Sequence, residues 1–175
     1  MLFHRLDVDT TGVVLFGEDP ALNAPITEMF RSREMNKTYW AVVDGVWLDS
    51  WRSVRTFIKK AGSSRWENVP KGRGGDPGET QFRLLSTNRE KSWIEAKPLT
   101  GRTHQIRLHC LERGHAILGD RLYGRANAAG IPMALHARRL EFKHPLTGRD
   151  VRVEAVAPAY WQEHWLRGLK APSAP

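Results

Sequence analysis

Glycine and proline cut this chain into short runs rich in β-branched and aromatic residues, and that punctuation limits what it can fold into. Val13-Val14-Leu15-Phe16 stops at Gly17, Thr38 to Asp44 at Gly45, and Ser92 to Lys97 at Pro98. Runs of this length and composition suit strands, and the first is apolar enough to predict a buried one. Trp51 to Ile58 and Thr80 to Ser86 read the same way. Leu135 to Phe142 and Val151 to Val156 form a hairpin across Pro145-Leu146-Thr147-Gly148. Lys59 to Glu79 is so rich in Gly, Ser and Pro that a loop is expected.

Only two stretches carry helical spacing. Asp19 offers an N-cap and Pro20 a first helical residue ahead of Leu22, Ile26, Met29 and Phe30, so a helix is expected over about 20–33. Pro25 should kink it or delay its start. A second, shorter helix is expected from Thr103, with Ile106, Cys110 and Leu111 inward and Gly114 as its stop. Many strands, few helices and no βαβ alternation predict an α+β fold with a mixed, mostly antiparallel sheet and a few flanking helices.

At 175 residues the chain matches one domain, which buries about 70% of its unfolded surface. The expected division is a domain over 1–165 and a frayed tail over 166–175. The single Cys110 excludes an intramolecular disulfide and a multi-cysteine zinc site. No apolar run approaches the roughly 20 residues of a membrane span, and no signal-peptide core follows Met1, so the expected location is cytoplasmic.

The formal charge is +8, with 19 Arg and 8 Lys, and it is unevenly spread. Residues 1–50 carry four basic and eight acidic side chains, whereas residues 100–152 carry ten basic and four acidic ones. Arginine's planar fork suits phosphates and stacks on bases, so the surplus points to nucleic acid as the anionic partner, with a merely solvated basic surface as the equal alternative.

Three segments could carry chemistry. In His4-Arg5-Leu6-Asp7-Val8-Asp9-Thr10-Thr11-Gly12 a carboxylate beside a strand could serve as nucleophile or base, or Asp7 and Asp9 could simply accept backbone N–H bonds in a turn. In Lys37-Thr38-Tyr39 the spacing puts an ammonium and a phenol on one face of a strand. In Thr100-Gly101-Arg102-Thr103-His104-Gln105-Ile106-Arg107-Leu108-His109 a glycine turn enters a helix whose first turns bear Arg, His, Gln and Arg, a setting for an anion. His104 and His109, five apart, do not share a helix face as two zinc ligands would. Gly72-Arg73-Gly74-Gly75 lacks the strand, spacing and helix of a phosphate-binding loop. It is a solvated basic connection or a mobile RNA contact.

Taken in this order the segments resemble the RluA family of RNA pseudouridine synthases. His4-Arg5-Leu6-Asp7 with Asp9-Thr10-Thr11-Gly12 looks like its aspartate motif and Lys37-Thr38-Tyr39 like its K-x-Y strand. The run from Thr100 through Leu118-Gly119-Asp120-Arg121-Leu122-Tyr123-Gly124 resembles its third motif. Leu135-His136-Ala137 and Phe142-Lys143-His144-Pro145 resemble its closing segments.

The resemblance implies isomerisation of uridine to pseudouridine in rRNA or tRNA without metal or cofactor. Asp7 would be the nucleophile, attacking C1′ or C6, and Arg107 its ion-pair partner. Tyr39 would stack on the uracil and take the C5 proton, although a phenol of reference pKa about 10 is a poor base. His4, Arg5, Lys37, Arg102, Thr103, His104 and Gln105 would contact RNA or line the pocket, and Arg102 through Arg125 with Arg138 and Arg139 would track the phosphates. The target base must leave any stack.

Family domains start well before the aspartate motif, with strands and a K-P-x-G segment. This chain is therefore expected to lack N-terminal strands, and the resulting sheet edge to invite self-association. Rival readings are a non-catalytic RNA-binding remnant and a metal-dependent nuclease using Asp7, Asp9 and His4.

Overall fold

The computed structural model describes residues 1–48, 51–124 and 130–171. Its elements are β1 (Thr11–Gly12), α1 (Asn23–Arg31), β2 (Asn36–Asp44), β3 (Trp51–Lys60), β4 (Trp66–Val69), β5 (Asp76–Thr87), β6 (Lys91–Pro98), α2 (Gln105–Glu112), β7 (Leu135–Lys143) and β8 (Asp150–Glu154). Among the described residues the strands form one sheet in the order β1-β7-β2-β6-β5-β3-β4, with β8 also on β7. Every pairing is antiparallel except β1 with β7. The α+β architecture is the one expected.

The long antiparallel strands follow from their composition. Ala41, Val42 and Val43 in β2 are fully buried, and the main core joins them to Phe82 of β5, Trp93 and Ile94 of β6, and Ile106 and Cys110 of α2. A second cluster sets Ile26 and Met29 of α1 against Leu140 and Phe142 of β7, with Phe3, Val13 and Leu15 on its flank. That cluster seats the N-terminal segment. No helix among the described residues is long and apolar enough to cross a membrane.

Several local expectations are corrected. Val13 to Phe16 is not a buried strand, and Phe16 is 65% exposed. It lies at the sheet margin, where the Phe3 N–H donates to Leu15 O at 3.3 Å and the Gly17 N–H to Met1 O at 2.8 Å. The first helical segment divides into a 3₁₀ turn at Pro20–Leu22, capped by Asp19, and α1 proper. Pro25 thus falls in the first turn of α1, where its missing N–H costs no helical bond. Helix α2 starts at Gln105 rather than Thr103, because His104 is in the left-handed region at φ 56.

Residues 59–79 are not one loop, although most of them are exposed. Their glycines and serines collect in two turns, and Trp66 to Val69 between them pairs with β3 and rests on Ile58, Leu108 and Tyr123. The C-terminal segment, expected to fray from 166, still packs there. Trp161 to Trp165 form a π-helical turn with both tryptophans buried, Leu166 is buried, and the Lys170 N–H donates to Ser86 Oγ at 3.1 Å.

The outer strand β8 is short and charged. On β8, Arg152 and Glu154 hold each other and Glu154 also holds Arg138 at 2.6 Å, while Arg139 binds Glu141 at 2.9 Å. Such an edge resists pairing with another chain. The same pairs neutralise Arg138 and Arg139, which were expected to be free for phosphates. Arg125 lies outside the described residues.

Candidate active site

Asp7 is placed by what surrounds its loop. The His4 ring stacks near Phe30 at 5.2 Å, and His4 Nε2 accepts the Leu15 N–H at 3.0 Å. An accepting Nε2 makes this imidazole neutral, and burial followed by the Lys37 charge lowers its pKa. On the other side of Asp7 the Thr10 N–H closes a turn onto the Asp7 carbonyl at 3.0 Å. Thr11 and Gly12 then enter the sheet beside His136 and Ala137. Gly12 has φ 117, and a Cβ there would lie 2.2 Å from Ala137 O, so only glycine permits this approach. His136 locks the join, bonding Thr11 Oγ1 at 2.8 Å through Nδ1 and Ala155 O at 3.0 Å through Nε2.

Arg107 does reach Asp7, but Asp7 is its minor partner. Its Nη1 lies 3.4 Å from Asp7 Oδ2, while Nε and Nη2 grip Asp120 Oδ2 and Oδ1 at 2.7 and 2.8 Å. The Arg107 and Asp120 side chains are 5% and 1% exposed, and that of Asp7 is 19%. Asp120 also accepts the Leu122 and Tyr123 N–H groups at 2.9 and 3.1 Å, and Tyr123 offers its ring face to Arg107 at 4.9 Å. Arg107 is therefore rigidly held by one carboxylate and presented to a second, more accessible one. Asp9, by contrast, turns away to Arg121 at 3.7 Å.

Lys37 and Tyr39 share one face of β2, as their spacing predicts. β7 carries an extra residue opposite the Thr38/Tyr39 step, since Thr38 pairs with Arg139 and Tyr39 with Ala137. A bulge of this kind sharpens the twist beside a site. Both residues line a cleft of about 980 Å³ together with Asp7, Arg33, Arg102 and His104. Burial, then the neighbouring Asp7 charge, pushes the Tyr39 phenol up to about 12. Burial lowers the Lys37 pKa.

The remaining expected contacts divide into accessible and consumed. Arg5 donates to Thr103 Oγ1 at 3.1 Å, which ties the aspartate loop to the turn before α2. Arg102 leans on Pro77 O at 3.1 Å and Asp76 at 3.5 Å. His104 shares a 2.8 Å bond with the Tyr123 hydroxyl. These line or border the cleft.

Gln105 lines the cleft, but its amide is taken up within the chain. Its Oε1 accepts from Thr100 Oγ1 at 2.5 Å and the Arg102 N–H at 3.0 Å, and its Nε2 donates to Glu79 O and Thr80 Oγ1, both at 2.9 Å. With its amide saturated, it fixes the turn carrying Arg102. The chain of bonds continues from Thr80 to the buried His109 ring and on to Thr56, both at 2.9 Å.

Asp120 is the residue that sequence reasoning missed as a site member. The available signal was an acid directly after a glycine within the arginine-rich half. Among the described residues no group of three His, Cys, Asp or Glu side chains is placed to hold a metal.

A family model described as RNA pseudouridylate synthase matches residues 1–112. The chain belongs to that family. Its RluA-type motifs accord with its relatives, for it is 36% identical to ribosomal large subunit pseudouridine synthase C of Yersinia pestis, over 88% of this chain and 51% of that protein. It is 35% identical to the synthase C of Escherichia coli K12, again over 88% and 51%. The chain thus spans about half the length of these curated relatives. Among solved structures it resembles human RNA pseudouridylate synthase domain containing 4, with a TM-score of 0.82 and 27% identity over 98% of this chain and 77% of that one.

Proposed function

We propose that this chain isomerises uridine to pseudouridine in RNA, with Asp7 as the nucleophile. The observation that carries the reading is a partly exposed carboxylate on the wall of a basic cleft, 3.4 Å from a buried guanidinium that another carboxylate already anchors. Arg107 keeps Asp7 oriented without engulfing it, so an oxygen remains free to attack. Whether C1′ or C6 is attacked, the balance is the same: the N1–C1′ bond breaks, a C5–C1′ bond forms, C5 loses a proton and N1 gains one. No electrons are exchanged with a partner.

Tyr39 keeps its proton at neutral pH, so it first acts as a surface for the uracil ring. Attachment of substrate to Asp7 removes the carboxylate charge, one of the two causes that raise the phenol's pKa. Burial, the larger cause, remains, so Tyr39 stays protonated and cannot take the C5 proton without giving up its own; that proton passes to water. Lys37 and His104 on the cleft wall suit contacts to the base and ribose.

Large-subunit ribosomal RNA is the first substrate to test, because relatives at 35–36% identity are named for it. The cytoplasm is the compartment that fits such a substrate. A nuclease reading is disfavoured, because Asp9 is engaged by Arg121 and His4 Nε2 by Leu15.

Tritium release from RNA labelled at uridine C5 tests the proposal. We expect release from the protein as it stands and none from Asp7→Asn. Absence of release from folded protein supplied with ribosomal RNA would leave an RNA-binding remnant as the better reading.

A further inference from the structure

Arg33 occupies a backbone position that favours glycine. Helix α1 ends with the Ser32 N–H bonded to Glu28 O at 2.7 Å and the Glu34 N–H reaching back to Met29 O at 3.0 Å. This is the six-to-one closure in which the residue between them is left-handed and usually glycine. Arg33 takes that place at φ 66, where a side chain strains the backbone.

Among the described residues no side-chain contact of Arg33 offsets that strain. Among the described residues the Arg33 guanidinium has no hydrogen-bond or salt-bridge partner, whereas Arg31, two residues earlier, is tied to Glu28 at 3.1 Å. Arg31 also already supplies a cation to the last turn of α1, so the helix dipole does not call for a second. The Arg33 side chain is exposed and lines the cleft. Its charge is felt at Glu79 on β5, whose carboxyl is held below the usual range first by Arg55 and least by Arg33. Arg102 and Arg5, which also line the cleft, are occupied by Pro77, Asp76 and Thr103.

Strain held at an accessible, unpartnered cation points to a ligand outside the chain. We infer that Arg33 grips a backbone phosphate of the RNA strand, next to the nucleotide whose base enters the cleft. The inference rests on the isomerase reading for the identity of that base but not for the phosphate contact. It makes the recognised chemistry a phosphodiester rather than a nucleoside. Free uridine would miss this contact.

The test is binding of a labelled single-stranded oligouridylate, titrated with salt, to the full chain and to Arg33→Gly and Arg33→Lys. Arg33→Gly should weaken binding several-fold at low salt and reduce the slope of log K against log salt by about 0.7, the value for one phosphate contact to a single strand. It should also raise Tm by about 2–4 °C, because a strained position becomes a relaxed one. Arg33→Lys keeps the charge and should keep the slope. An unchanged slope in Arg33→Gly, a lower Tm, or an equal loss in Arg33→Lys would each overturn the inference. Tritium release measured in parallel separates the two claims: release with an unchanged slope removes only the phosphate contact, and a reduced slope without release removes only the isomerase.

Discussion

Replacing Asp120 with asparagine isolates the support beneath the candidate nucleophile. Asp120 accepts four hydrogen bonds, two from Arg107 and one each from the Leu122 and Tyr123 N–H groups. Asparagine keeps the volume and one acceptor oxygen, but it turns an N–H₂ toward the guanidinium and leaves a buried cation short of its counter-charge. Breaking one side of a buried pair costs about 3–5 kcal/mol, and the retained oxygen places this change near the lower end, at ~3 kcal/mol. Against a total stability of roughly 5–15 kcal/mol the variant should fold, with Tm lowered by about 6–12 °C. Urea unfolding monitored by fluorescence of the buried tryptophans gives the stability, and tritium release below the new transition gives the activity. Release should fall sharply, because Arg107 loses the anchor that presents it to Asp7.

The double variant Arg107→Met with Asp120→Leu removes both charges together. Buried pairs replaced by apolar residues of similar size are often neutral or stabilising, so the double variant should recover part of the single variant's loss while releasing no tritium. Recovery stays incomplete because two N–H groups lose their acceptor, at about 1–3 kcal/mol each if they find no other partner. A single variant within 1 kcal/mol of the parent, or a double variant no more stable than the single, would refute the reasoning. The first result would mean that the buried charge is not balanced by Asp120. The second would assign the effect to the turn at Leu122 and Tyr123.

Two further outcomes follow from features outside the ion pair. Gly12→Ala drives a methyl into Ala137 O at φ 117, so β1 should part from β7 at a cost of about 2–5 kcal/mol. Retention of full tritium release by that variant at a temperature where it is folded would show that β1 does not position Asp7. His109 is fully buried, and burial followed by the Arg113 charge lowers its pKa from 6.5 to about 4. The unfolded chain therefore binds a proton that the folded protein refuses. The stability from this residue is present above pH 6.5 and is lost as pH falls from there toward about 4, by roughly 3 kcal/mol in all. Urea midpoints across that range should show this slope in the parent and a flatter one in His109→Gln, and equal slopes would exclude His109 as its source.

The parts of the site that could be read from the sequence are those whose information is local. Asp7, Lys37, Tyr39 and Arg107 each sit in a compact run with its own spacing, and the structure brings the first three to one cleft with Arg107 buried behind Asp7. What the sequence hid is which groups satisfy which. Arg107 appeared to answer Asp7, yet its stronger partner is thirteen residues onward across a turn. Gln105, polar and in a first helical turn, looked available, and only the convergence of Thr100, Glu79 and Thr80 upon it reveals a spent amide. β4 escaped for another reason: composition averaged over 59–79 is dominated by its two turns and conceals the four residues that pair between them. The π-helical turn at Trp161–Trp165 carried no periodic signal, being a single turn held by two large side chains in the core.

The parallel pairing of β1 with β7 also bears on how the site assembles. Asp7 reaches Arg107 across 100 residues of chain, and the Thr11–His136 bond beside it spans 125. Contacts so distant along the chain close late, after the loop entropy between them has been overcome by hairpins and helices that form locally. Most of the antiparallel ladder, from β2 through β6, can pair before the first dozen residues arrive. The candidate nucleophile is thus delivered to an arginine whose own anchor lies only thirteen residues away. Assembly of the candidate site then reports completion of the longest-range step in folding rather than the presence of any one motif.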